Sequence, residues 1–252
     1  MIISPLTYNV FDIIGFLFLV IAVVSGIVHR KLLNKSIMLI VPYTVLGILF
    51  VLGLSASYTL NDVTLSTNLS LIFVNGYLVI QNSYLASIGI IYFKVIGARE
   101  MVLNYEKSFS SFKNLPYWFI PVIVLSNSLY SWLIFSIFGR VFFNTSNGII
   151  ERVQNIMLGS IGAVAEELLI RLFLLGLIVY VLRNSPYKWL IAILLSSIYW
   201  ALLHNVDGPI DFVRIIQIFP LGVVLGYTMK KYGFEACLSI HLITNIFFEI
   251  IP

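Results

Sequence analysis

The sequence predicts an all-α polytopic membrane protein of about eight transmembrane helices, with a core in the last four. Three observations carry that prediction. Of 252 residues, 60% are hydrophobic and only 10% charged, against roughly 45–50% and about 25% in soluble domains. The mean hydropathy is +1.01. The apolar residues fall in runs near 11–29, 37–60, 69–97, 116–139, 153–183, 189–205, 210–229 and 234–251, and about 20 such residues cross a hydrocarbon core of about 30 Å.

The runs differ in kind. No basic region precedes the first, so it does not read as a cleavable signal peptide; Arg30, Lys31 and Lys35 follow it instead. The third is interrupted by Asn75, Gln81 and Asn82, so it is expected to kink or to face other helices. The fifth is longer than a perpendicular span and has to tilt or project beyond the bilayer. No connector is long enough for a soluble domain, and the longest, about 98–115, has room for one amphipathic piece. The chain therefore divides into residues 1–150, four N-terminal spans without recognisable motifs, and residues 151–252, the four spans of the core.

Several classes are excluded. A single cysteine, Cys237, rules out a disulfide scaffold. High apolar content with a net charge of only +4 rules out disorder. The 15 basic residues are scattered between apolar runs and form no basic face, so no nucleic acid is expected as a partner. The expected partner is the lipid bilayer, and the expected location is the plasma membrane, crossed many times. Eleven basic residues lie in the connections after runs one, three, five and seven: Arg30, Lys31, Lys35, Lys94, Arg99, Lys107, Lys113, Arg183, Lys188, Lys230 and Lys231. Arg140, Arg152 and Arg214 lie on the other side. The positive-inside rule puts the richer side in the cytoplasm and both termini outside.

Ionisable residues inside the runs are the functional signal, because a charge at mid-membrane costs about 2.5–3.5 kcal/mol on insertion scales. Run five contains Glu166, Glu167 and Arg171. Glu167 and Arg171 are i and i+4, with the acid N-terminal, the better order for a pair. Glu166 points about 100° away around the helix. The pattern suggests one carboxylate tied to arginine and one free to act. Run six ends in Trp200-Ala201-Leu202-Leu203-His204, and run eight places His241 and Asn245 on one face. Singly, each has a plain explanation: a structural ion pair, a histidine at the interface, or interhelical hydrogen-bond glue. Together, a glutamate, two histidines and an amide call for one polar cavity. His29, beside Arg30, reads as an ordinary solvated residue.

Such a set suits attack by water on a peptide carbonyl. A carboxylate helped by histidine serves as general base, while a second histidine and an asparagine amide donate to the developing oxyanion. Glu166, His204 and His241 equally form a plausible zinc ligand set with an open position for water. Spacing does not choose between zinc and a metal-free glutamate mechanism.

These motifs resemble those of the CPBP family of intramembrane endopeptidases (CaaX protease and bacteriocin-processing, or Abi). Glu166-Glu167 with Arg171 fits its EExxxR motif; Trp200 to His204 fits FxxxH with tryptophan for phenylalanine; His241 to Asn245 fits HxxxN. Phe219, Gly222, Gly226 and Tyr232-Gly233 resemble its glycine-containing helix. The resemblance covers about residues 153–248. It implies an endopeptidase acting on membrane-associated or prenylated, CaaX-like substrates. By the same resemblance Glu166 and His204 activate water, His241 and Asn245 form the oxyanion site, and Glu167 and Arg171 support them. The replacement of phenylalanine by Trp200 bears on the substrate-facing wall. Prokaryotic members linked to self-immunity supply an alternative, a non-catalytic immunity or scaffold protein. A proton-coupled transporter is weaker, because the polar residues cluster in the last four runs and no inverted repeat is visible. The sequence has no HExxH, GxSG or GxGD motif for other intramembrane proteases, and Cys237, one turn before His241, reads as a small filler rather than a nucleophile. One tension remains within these expectations. The charge count places His204 toward the outer end of its span, whereas CaaX-type cleavage needs access from the cytoplasm.

Overall fold

In lipid every backbone N–H and C=O must be satisfied internally, and a chain of apolar runs meets that demand by forming helices. The computed structural model describes residues 5–59, 65–97, 115–139, 148–204 and 211–250. Among them are eight helices and no strand: α1 (Pro5–Val28), α2 (Arg30–Thr59), α3 (Leu65–Val95), α4 (Phe119–Ile137), α5, α6 (Lys188–Leu203), α7 (Phe212–Tyr232) and α8 (Phe234–Ile250). Helix α5 is one rod in three parts, Ile149–Glu166, a π-helical segment Glu167–Leu174, and Leu175–Val181. The protein is an all-α membrane protein whose eight described helices occupy the eight apolar runs. Four segments, Arg30–Tyr58, Asn68–Val95, Phe119–Ile137 and Phe212–Tyr232, are each long and apolar enough to span a bilayer. Helix α2 begins at Arg30, so the basic stretch is helical and not part of a loop. Most of the expected 98–115 connector, with Arg99, Lys107 and Lys113, lies outside the described residues, as does Arg140.

The fold is inside-out relative to a soluble protein. Phe16, Phe73 and Leu129 are 65%, 71% and 65% exposed, on surfaces suited to acyl chains. Asn82, Ser87, Ser131, Ser160 and Thr228 are buried. Small and polar residues at helix contacts are the expected means of association where lipid removes the hydrophobic drive. Ser83 and Ser87 return their hydroxyls to carbonyls one turn back, on Val79 and Ser83. Asn82 reaches across to donate to the Ala165 carbonyl at 3.0 Å. The third run is therefore one continuous helix whose Asn82 faces a neighbour, and Asn75 is satisfied by its own helix at the Leu71 carbonyl.

Helix α3 is pressed onto the π-helical segment, while α2 and α8 pack on the N-terminal part of α5 and α6 packs on α7. Gly89 sets the closest approach: a Cβ there would run into the Leu172 carbonyl and Phe173 Cα. Buried Leu168, Leu172, Leu175, Trp200, Leu225 and Cys237 join the same apolar core. At Gly233, φ is 92°, so the chain turns through one residue that only glycine adopts readily, and α8 starts directly after α7. Because the neighbour of Gly89 is backbone and cannot rotate aside, Gly89→Ala is expected to destabilise the protein by about 2 kcal/mol or more. Thermal unfolding of the detergent-solubilised protein measures this, and Gly15→Ala, with nothing near its site, is the control expected to be neutral.

Candidate active site

The ionisable groups of α5 sit where the helix changes winding. Glu166 closes the α-helical part and Glu167 opens the π-helical segment, and such segments are frequent at functional sites. The two carboxylates part company there. Glu167 turns into the bundle and is fully buried, 3.3 Å from the Arg171 Nε. Its oxygens also accept from the Cys237 thiol and from His241 Nδ1, each at 2.9 Å. The Arg171 guanidinium is likewise fully buried and lies 5.4 Å from the centre of the Trp200 ring, a cation–π arrangement that suits a desolvated arginine.

Glu166 turns the other way, into a cavity of about 510 Å³. Its side chain is 29% exposed, with His204 at 22% and His241 at 4%. His204 Nε2 lies 3.9 Å from Glu166 Oε1, and His241 Nε2 lies 3.9 Å from Oε2. Asn245 lines the same cavity and donates from Nδ2 to the Gly159 carbonyl at 2.9 Å. Gly159 and Gly162 keep this face of α5 low: a Cβ on Gly162 would stand 3.6 Å from Glu166 Oε1. Glu166, His204, His241 and Asn245 are thus brought to one cavity, and Glu167 and Arg171 lie behind it.

The partners assign the histidine tautomers. His204 Nδ1 lies 2.9 Å from the Trp200 carbonyl, which can only accept, so Nδ1 carries the proton. His241 Nδ1 donates in the same way to Glu167. In its neutral form each ring therefore turns an unprotonated Nε2 toward Glu166 and the cavity. His241 becomes a donor at Nε2 only on taking a second proton.

Two features were not legible in the motifs. Trp200 is 2% exposed, and its indole N–H donates to Glu166 Oε2. Its ring meets the edges of His204 and His241, with centroids 5.1 and 5.3 Å away. A phenylalanine would reproduce the ring contacts and lose the donor. Gly222 makes room for it, since a Cβ there would come within 2.9 Å of Trp200 Cε3. The second feature is Arg214, which lines the cavity from the first turn of α7. Its Nη1 donates to Gln217 at 2.7 Å, and Gln217 donates to Ser131 of α4. Asp211 caps this helix, accepting from the Val213 and Arg214 amides, and an aspartate before an apolar run is a helix-start signal that the sequence expectations left unused. Cys237 is fully buried and does not line the cavity.

As a zinc site the set does not close. Ligands of one tetrahedral zinc stand roughly 3.4 Å apart, and the two Nε2 atoms each lie 3.9 Å from the nearer Glu166 oxygen. Among the described residues no three His, Cys, Asp or Glu side chains are gathered for a metal.

A carboxylate and two imidazoles thus border one partly open cavity in a helical membrane protein. Residues 149–247 match the family described as Rce1-like, type II CAAX prenyl endopeptidase, which bears out the CPBP recognition made from the motifs. The chain is 32% identical over 91 residues to the sporulation-killing factor biosynthesis protein SkfC of Bacillus subtilis (strain 168). That stretch is 36% of this chain and 18% of the relative, so the chain matches under a fifth of the relative's length. No solved structure matches the chain.

Breaking the buried pair has a measurable signature. Arg171→Met leaves the Glu167 carboxylate without its cation and is expected to cost about 3–5 kcal/mol in thermal unfolding, whereas Glu167→Gln with Arg171→Met recovers most of that loss.

Proposed function

We propose that the protein is an intramembrane endopeptidase that hydrolyses a peptide bond in a membrane-associated or lipidated substrate with water activated by Glu166 and His204. The family match supports a CAAX-type protease or a related member. The observation that carries the reading is the convergence of Glu166, His204 and His241, from three helices, on one cavity within the bundle.

Glu166 Oε1 and His204 Nε2, 3.9 Å apart, are too far for a direct hydrogen bond and both accept, so a water oxygen between them finds two acceptors for its protons. Water attacks the scissile carbonyl carbon, a C–O bond forms, and the proton passes to Glu166. As the C–N bond breaks, Glu166 returns that proton to the leaving amine. The second amide hydrogen of Asn245 and, when doubly protonated, His241 Nε2 face the oxyanion. Glu167, bonded to His241 Nδ1, fixes the ring in the manner of a triad carboxylate. Trp200 holds Glu166 by one oxygen and leaves the other toward water. This mechanism asks nothing of a metal, in keeping with a donor set that does not close around one. The name of the Bacillus relative ties that protein to biosynthesis of a killing factor, and a processing role in making a peptide product is compatible with this chain as well. We place it in the plasma membrane, with residues 151–252 supplying most of the cavity wall and α4 one side.

With purified, reconstituted protein and lipidated peptides, Glu166→Ala and His204→Ala are each expected to reduce turnover by about 10²–10⁴-fold, with a chelator leaving the unmodified protein unchanged. Equal turnover by all three proteins defeats the reading. Trp200→Phe keeps the ring and removes a charge-assisted hydrogen bond worth about 1.5–3 kcal/mol; kcat is expected to fall about tenfold or more with KM little changed.

A further inference from the structure

The cavity wall carries a cation that the hydrolytic chemistry leaves unused. Among the described residues that line it, Arg214 is the one lysine or arginine. It is half-buried in the first turn of α7. A guanidinium on an apolar helix is costly unless it finds a partner or reaches an interface. Arg171 meets that cost with Glu167. Arg214 does not, because among the described residues no carboxylate lies within ion-pair distance of it. Asp211 and Glu166 are close enough to be felt electrostatically. However, Asp211 spends an oxygen on capping the Val213 and Arg214 amides, and Glu166 is held by Trp200.

A purely structural role does not account for this arginine. The tie between α7 and α4 runs from Gln217 Nε2 to Ser131 Oγ at 3.2 Å, and it needs no charge. Arg214 adds one N–H, from Nη1 to Gln217 Oε1 at 2.7 Å, out of the five that a guanidinium carries. None of its nitrogens is both sealed and unpartnered, so the donors that Gln217 does not take remain accessible from the cavity. Gln217 is itself held by Ser131, which steadies the fork. Gly222, which backs Trp200, lies eight positions further along α7, about 12 Å of helix. An extended peptide covers that offset in about three or four residues. Arg214 therefore stands away from the reacting atoms but within reach of the same bound chain.

We infer that Arg214, steadied by Gln217, binds a carboxylate of the substrate and so determines which peptides the site accepts. The inference rests on the peptidase reading and deepens it. One guanidinium beside a neutral amide and hydroxyl matches an anion of single charge, and its planar fork fits a carboxylate at two points. A peptide supplies that group as an acidic side chain or as its own C-terminus. Glu249, the other carboxylate in the wall, has a partner of its own.

Binding to the full chain with Glu166→Gln, in nanodiscs, tests this without turnover. The probe is a short fluorescent lipidated peptide in three forms: the free C-terminal acid, the C-terminal amide, and the amide with glutamate as its last residue. The unmodified Arg214 site is expected to favour a carboxylate form over the plain amide by about tenfold to a hundredfold in Kd. Preference for the acid alone assigns the chain end; equal or better binding of the glutamate form assigns a side chain. Arg214→Gln is expected to erase the preference and bind the plain amide as before. If Arg214→Gln loses its thermal transition, Arg214→Lys, which keeps the charge without the fork, decides in its place and is expected to cut the preference about threefold or more. Equal binding of all three forms, no binding of any, or a preference untouched by these changes overturns the inference. A preference without turnover by the protein with Glu166 intact defeats the peptidase reading alone, and turnover without a preference defeats this inference alone.

Discussion

The structure depends on keeping an arginine and two glutamates inside a bundle surrounded by lipid. The solution is a shared acceptor. Glu167 takes the Arg171 guanidinium, the Cys237 thiol and the His241 ring on one carboxylate, so elements from two helices are tied at the floor of the cavity. A buried ion pair of this kind adds little net stability over an apolar substitute. Its value here is positional. It orients His241 and leaves Glu166, one residue earlier, to face the other way with a different set of contacts.

Trp200 joins the two sides of that arrangement. Its ring covers Arg171 from one direction and borders both histidines from others, while its N–H holds Glu166. Replacing phenylalanine by tryptophan at this place turns a passive wall into a donor. Gly222 on α7 supplies the space, so the glycine-containing helix and the tryptophan fit as a matched pair rather than as separate features.

The helical membrane architecture was legible because a low-dielectric solvent leaves few options, and long apolar runs announce helices. The convergence of Glu166, His204, His241 and Asn245 was legible because charge in lipid is costly and i, i+4 spacing fixes a face. Other features were not. The π-helical winding after Glu166, where Gly89 of α3 meets the backbone of Leu172 and Phe173, leaves no mark in local periodicity. The contribution of Ser131 and of Arg214 with Gln217 depends on which helices become neighbours across long stretches of sequence. Arg214 read as one more basic residue near a connection, and only the fold turns it toward the cavity.

The contact between α3 and α5 has a bearing on how such sequences diversify. Asn82 supplies the donor for the Ala165 carbonyl at the lip of the π-helical segment, and Gly89 supplies the slot beside it. The stretch that matches the family, residues 149–247, includes neither residue. Any chain that borrows the stretch must therefore provide, from unrelated surroundings, one amide to cap that carbonyl and one place without a side chain. Those two requirements are modest: a single hydrogen-bond donor and a single missing side chain.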